Sequence, residues 1–176
     1  HLIKHLKQQL LCEIRSLLIE RGVTAIFVTH DQGGAFAFAD KLTLICEGRG
    51  LETGTPKDLY LYPKNRFTAE FFGEGRLVNY TDKNTGIPLL DSGKTEMKSD
   101  STMEILVRPE NVTLSSSSGL KFPIISKEFR GAKTILELRL LDGQQVLCQI
   151  SSQKEFEIGA LLEVSFDLEH APRFES

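Results

Sequence analysis

The first twenty positions carry their apolar residues on a helical period. Leu6, Leu10, Ile14, Leu17 and Leu18 recur three or four apart, with Lys7, Gln8, Gln9, Glu13 and Arg15 between them. This spacing predicts an amphipathic helix, closed by Gly22 just past its C-terminus. The period then changes. Residues 23–28, VTAIFV, form a nearly unbroken β-prone run suited to a strand covered on both faces, as in a parallel sheet. Asp31 can cap a second helix carrying Ala35, Phe36 and Ala39. Residues 42–46, LTLIC, read as another buried strand, and 47–50, EGRG, as its turn. In TPKDLY, Thr55 is placed to cap a helix, Pro56 to take its first position, and Asp58 to face the positive end of its dipole. After Pro63 a short helix spans 66–72, and Gly73-Glu74-Gly75 stops it.

Beyond Gly75 the helical period disappears. Short β-type runs take over at 76–80, 103–107, 112–114, 122–129, 134–141, 145–150 and 161–168. Turns at Thr85-Gly86, 115–119, Asp142-Gly143 and Ile158-Gly159 separate them. Many short strands joined in this way predict a small antiparallel barrel. The expected division is therefore an α/β part over residues 1–74 and an all-β barrel over 75–176.

Composition narrows the functional classes. With 40% hydrophobic and 26% charged residues, a chain of 176 residues can bury one good core or two modest ones. A net charge of −3 offers no basic footprint for nucleic acid or an anionic membrane. The absence of Trp and the presence of only three Tyr argue against a barrel that stacks single-stranded bases. No apolar run approaches the roughly 20 residues needed to cross a bilayer, and HLIKHLKQQL is unlike a signal peptide, which points to a cytoplasmic chain. Cys12, Cys46 and Cys148 are odd in number and scattered, so each reads as a small buried apolar residue. Asp167, Glu169 and His170 fit no metal-site spacing and read as a solvated chain end, leaving no expected metal site.

Several motifs in fixed order carry a family resemblance. VTHDQ, an alanine-bearing helix ending at Ala39-Asp40, an EGR turn, GTPKDLY, Pro63 and FTAEFFG together resemble the C-terminal part of the ATP-binding subunit of an ABC-type importer. ILVRPENV at 105–112 resembles the signature of the OB-like regulatory β-barrel called TOBE that is appended to such subunits. FFGEG, together with FRG at 129–131, is most similar to the ferric-iron importers; spermidine/putrescine, sulfate and sugar importers are the alternatives.

The resemblance implies an α/β fragment, the C-terminal end of an ABC nucleotide-binding domain, followed by a TOBE barrel. It implies that His30 is the switch histidine beside the γ-phosphate of ATP, and that Arg108, Pro109 and Glu110 are the signature of the regulatory domain. An imidazole N–H can donate to a γ-phosphate oxygen or to the attacking water, a bond worth about 1.5–3 kcal/mol. ATP and Mg are the cofactors it implies for the full-length parent. Its partners would be transmembrane permease subunits and a second ATPase subunit, as part of a homo-oligomer on the cytoplasmic face of the cell membrane, with no nucleic acid.

The sequence contains no GxxxxGK[ST] phosphate loop, no LSGGQ-like signature and no Asp-Glu pair for magnesium and water. In the family these precede the matched region. The expectation is thus a truncated ATPase domain that is inactive alone and binds no cofactor by itself. A second departure is Gly33-Gly34, which stands where the family usually has two glutamates. The competing class is a stand-alone barrel for a small oxyanion, with the first 74 residues as an oligomerisation arm.

Overall fold

The helical period at the start folds as helix α1 (Leu2–Glu20), and its end shows why Gly22 is needed. Gly22 adopts a φ of 60°. Its N–H donates to the Ile19 carbonyl at 3.2 Å, and the Val23 N–H donates to that of Leu18 at 3.0 Å. This double bond pattern satisfies carbonyls that the last turn leaves open, and it requires a residue at ease in the left-handed region. The computed structural model describes residues 2–80, 103–115 and 119–175. By their contacts these fall into two units, residues 1–60 and 61–176.

In the first unit, helix α2 (Gln32–Phe38) follows a segment without regular secondary structure, and strands β1 (Leu42–Cys46) and β2 (Arg49–Gly54) follow α2. Two expectations are corrected here. Residues 23–28 form no strand, and Ile26 and Val28 are 93% and 87% exposed. A parallel strand needs neighbours on both edges, and among the described residues none lies beside this one. Residues 42–46 are paired antiparallel with β2, not set inside a parallel sheet, and of them only Leu44 is buried. The local cause is the turn: Glu47 and Gly48 have φ of 51° and 76°. Two consecutive left-handed residues give the tight reversal that suits the strand twist.

Helix α3 (Pro56–Leu61) starts as the sequence predicts. The Asp58 N–H donates to Thr55 Oγ1 at 3.1 Å, and that hydroxyl donates to Asp58 Oδ2 at 2.6 Å. Helix α4 (Arg66–Phe71) is capped by Asn65, whose Oδ1 accepts the Thr68 N–H at 2.9 Å.

The rest of the second unit is antiparallel β structure. A three-stranded sheet has the order β10-β4-β3, formed by β3 (Arg76–Tyr80), β4 (Met103–Val107) and β10 (Arg173–Glu175). A five-stranded sheet has the order β5-β9-β6-β7-β8, with β5 (Val112–Leu114), β6 (Leu120–Phe129), β7 (Lys133–Arg139), β8 (Gln145–Ser151) and β9 (Leu161–Phe166). Strand β6 is long enough to serve two neighbours. Residues 120–123 pair with β9, and from Ile124 onward the strand pairs with β7, with an irregularity between Ile124 and Ser126. Such a bulge bends a strand and lets the sheet curl.

Curling brings the end strands β5 and β8 together, giving the nearly closed barrel that the strand pattern predicts. Across that seam the Cys148 thiol donates to the Val112 carbonyl at 3.3 Å. Burial pushes this thiol up to about 11, so it stays protonated and unreactive. The expectation of three buried cysteines therefore holds for Cys148, whereas Cys12 is exposed and Cys46 half-buried. Alternation fills the interior: on β9, Leu162, Val164 and Phe166 point in, and Phe166 meets Phe122 edge to face at 5.9 Å. Gln144, in the β7–β8 turn, ties the two sheets together. Its Nε2 donates to the Asn79 carbonyl at 2.8 Å, and its Oε1 accepts the Asn79 N–H at 2.7 Å, so one side chain imitates a strand residue.

The turn expected at Thr85-Gly86 and the middle of the serine run lie outside the described residues. No described helix is long and apolar enough to cross a membrane.

Candidate functional site

His30 stands where the irregular segment 23–29 turns into α2, and it is exposed. The turn is set by its neighbours. Thr29 Oγ1 accepts the Asp31 N–H at 3.0 Å, and the Asp31 carbonyl accepts the Ala35 N–H at 2.9 Å as the first helical bond. Phe27, three residues before His30, lays its ring 5.1 Å from that of Phe38 at the far end of α2.

Asp31 is the N-cap of α2, but its side chain makes no capping hydrogen bond. It instead accepts from Lys7 Nζ at 2.8 Å. The Lys7 ammonium first, and the nearby Gly34 amide second, hold this carboxyl below its ordinary value of 3.8. Position 34 has no room for a side chain as the residues stand: a Cβ there would lie 2.7 Å from Asp31 Oδ2.

Arg108, Pro109 and Glu110, the residues expected to mark the regulatory domain, sit together in one turn between β4 and β5. Arg108 is 4% exposed, Pro109 is buried and opens a single turn of 3-10 helix (Pro109–Asn111), and Glu110 is exposed. Asn111 closes the turn, its Oδ1 accepting the Arg108 N–H at 2.9 Å and its own N–H donating to the Arg108 carbonyl at 2.9 Å. Proline suits the first position because it has no N–H to leave unpaired. The turn passes the chain from the three-stranded sheet to the barrel. His30 lies in the other unit.

Within the second unit, an open cleft of about 400 Å³ is lined by the glycine-bounded stretch around Glu74 and by β6, β7 and β8. Its two arginines are already engaged. Arg130 donates to both Glu74 and Glu128, which raises its own pKa and lowers that of Glu128. Arg76 lies 3.5 Å from Glu137, which also accepts from Ser126. A site for a small oxyanion needs cations free to meet it, and here carboxylates occupy them. Among the described residues no group of three His, Cys, Asp or Glu side chains could hold a metal ion. Asp167, Glu169 and His170 are exposed.

The contacts of Lys7, Arg130 and Gln144 were not legible in the sequence. Those with Asp31, Glu74 and Asn79 respectively join residues at least 24 positions apart, and only the FRG resemblance drew attention to Arg130.

Comparison with known proteins places this geometry. Residues 105–174 match the family described as "TOBE domain", which contains the 108–110 turn and the barrel. Over 170 residues, 93% of its length, the chain is 30% identical to the "Fe(3+) ions import ATP-binding protein FbpC" of Streptomyces coelicolor. The match covers 48% of that relative, so the chain spans about half its length.

Proposed function

The chain is related to the C-terminal part of the ATP-binding subunits of ABC-type importers and carries their TOBE domain, and from that premise we propose that it serves ATP-driven import of ferric iron. The observation that carries this reading is the similarity along nearly the whole chain, running through both the VTHDQ region and the barrel. The cargo rests on the relative's name together with FFGEG and FRG. Against the oxyanion-module alternative stands the pairing of Arg76 and Arg130 with carboxylates.

The residues present fit one edge of a nucleotide site. His30 is solvent-accessible and precedes a helix, but the chain has no glycine-rich loop to cradle phosphates. Bound Mg-ATP supplies the phosphoryl group for transfer to water. His30 holds a proton at an imidazole nitrogen and donates it as a hydrogen bond toward the γ-phosphate or the water, where charge shifts in the transition state. The partners in this reading are permease subunits and a second ATPase subunit at the inner face of the cell membrane, with the barrel as the regulatory part.

The test is His30→Ala in the ATP-hydrolysing protein that contains this sequence. Losing one such bond should cut turnover about 10- to 100-fold and leave ATP affinity within a few-fold. The chain alone should bind Mg-ATP no more tightly than about millimolar by calorimetry, lacking the phosphate loop. Unchanged turnover in the variant would remove His30 from the mechanism.

A further inference from the structure

Helix α2 is poorly equipped to hold itself. It has seven residues, two of them the adjacent glycines 33 and 34, and its N-cap carboxylate makes no capping bond. Glycine is among the weakest helix formers because it loses the most backbone freedom. Yet α2 is gripped along its whole length by one stripe of α1, at positions 7, 11 and 15. At its start, Lys7 Nζ meets Asp31 Oδ2 at 2.8 Å. Over its middle lies Leu11, a buried leucine of α1, whose Cδ1 would be 3.4 Å from a Cβ on Gly34. At its end, Arg15 Nη1 donates to the Phe38 carbonyl at 3.0 Å and to that of Ala37 at 3.3 Å, while Nη2 donates to Asp40 at 2.7 Å. The spacing of four keeps the three side chains on one face of α1. A cation on the last carbonyls satisfies acceptors that a helix end leaves open.

We propose that Lys7, Leu11 and Arg15 form a splint that orders α2 and thereby positions Asp31 and the adjoining His30. Gly34 is part of the device, because a side chain there would push the Asp31 carboxylate off Lys7. Gly33 is not: a Cβ at that position would lie 3.7 Å from Asp31 Oδ1, an ordinary contact. Lys7 and Arg15 are positioning residues. The consequence for turnover rests on the reading of His30 above, whereas the splint itself does not.

The two glycines supply the experiment. Both gain helix propensity on replacement by alanine, so a difference between them reports the contacts of position 34 with Asp31 and Leu11, and the Asp31 titration separates the first from the second. Amide hydrogen exchange at Ala35 and Ala39, and the carboxyl titration of Asp31 by NMR, are measured on the whole chain. Gly33→Ala should slow exchange about fourfold. Gly34→Ala should not slow it, and should move Asp31 back toward its ordinary value. Lys7→Met should also move Asp31 back and speed exchange about threefold, with Lys7→Arg close to wild type. If both alanine variants slow exchange alike while Asp31 titrates as before, the splint is overturned.

In the complete ATPase, Lys7→Met should lower kcat about threefold at unchanged KM for ATP, with Lys7→Arg restoring it. An unchanged kcat, in a protein whose turnover does depend on His30, overturns the positioning role. Turnover that ignores His30 counts against the functional reading instead, and the exchange measurements still decide the splint.

Discussion

Residues 1–60 and residues 61–176 use the same kinds of apolar side chain to opposite effect. In the second unit Val107, Leu136, Leu138, Val146, Cys148 and Val164 are wholly buried, within a cluster that draws on nearly every strand of the barrel. In the first, α1 leaves Leu6, Leu10, Leu17 and Ile19 exposed, and the segment that follows it leaves Ile26 and Val28 bare. The difference lies in where the partners come from. In the barrel β6, β7 and β8 pair as successive hairpins and β9 returns along the chain to pair with both β5 and β6, so every strand finds its neighbours within the unit. A strand meant for a parallel sheet depends on neighbours reached through crossovers of a dozen or more residues, and residues 23–28 meet none among those described. The apolar pattern announces that a surface will be covered without saying by what.

Core truncation should separate the two regions most sharply. Phe122→Ala, in the barrel, removes a ring with 1% exposure and should cost about 3–5 kcal/mol in urea denaturation. Ile26→Ala should stay within about 0.5 kcal/mol of the parent, as for a surface position. A comparable loss at Ile26 would mean that the segment is packed in solution, against another copy or another part of the protein, and the contrast would fail.

Gln144→Ala should act at an intermediate level. It deletes both bonds to Asn79 and leaves the backbone of β3 to find water, a loss of about 1–2 kcal/mol. The same denaturation experiment measures it. No change would mean that the sheets are held together by their apolar contacts alone.

Acid should give the smallest effect. Asp31 has a lowered pKa in the folded chain, so the folded state gives up its proton more readily than the unfolded one. Its contribution is present above the ordinary value of 3.8 and is lost as pH falls through the lowered folded value. Protection of the α2 amides, taken relative to their intrinsic exchange at each pH, should therefore fall below about pH 4, and Lys7→Met should flatten that dependence. Glu128, lowered chiefly by Arg130, has the same sign of response in the barrel unit, and Lys7→Met should leave it unchanged.

Much of the fold follows from local chemistry and could be read from residues a few positions apart. The Gly22 stop, the Thr55 cap with Asp58, the β1–β2 turn and the alternation along β9 are settled within one turn of helix or one hairpin. So is the turn of Arg108, Pro109 and Glu110, since proline and the Asn111 side chain suffice to form it. His30 is singled out for another reason: it stands in an ordered series of motifs that resemble a known family, and its role is the proposal made above.

What only the tertiary structure decided are the relations between distant residues. Residues 42–46 could join a parallel sheet or a hairpin with equal apolar content, and pairing with β2 made the choice. Helix α4 ends at glycines that read as a boundary, yet Arg66 reaches the largely buried Glu104 of β4 at 3.0 Å and Arg130 holds Glu74, so helix and linker pack with the barrel unit. Lys7 looked like one more solvated charge until Asp31 arrived beside it across 24 positions. A sequence displays propensity and period, which act over a few residues. Ion pairs, seams and closures depend on where the folded chain returns, and that is set by the packing of all its elements at once.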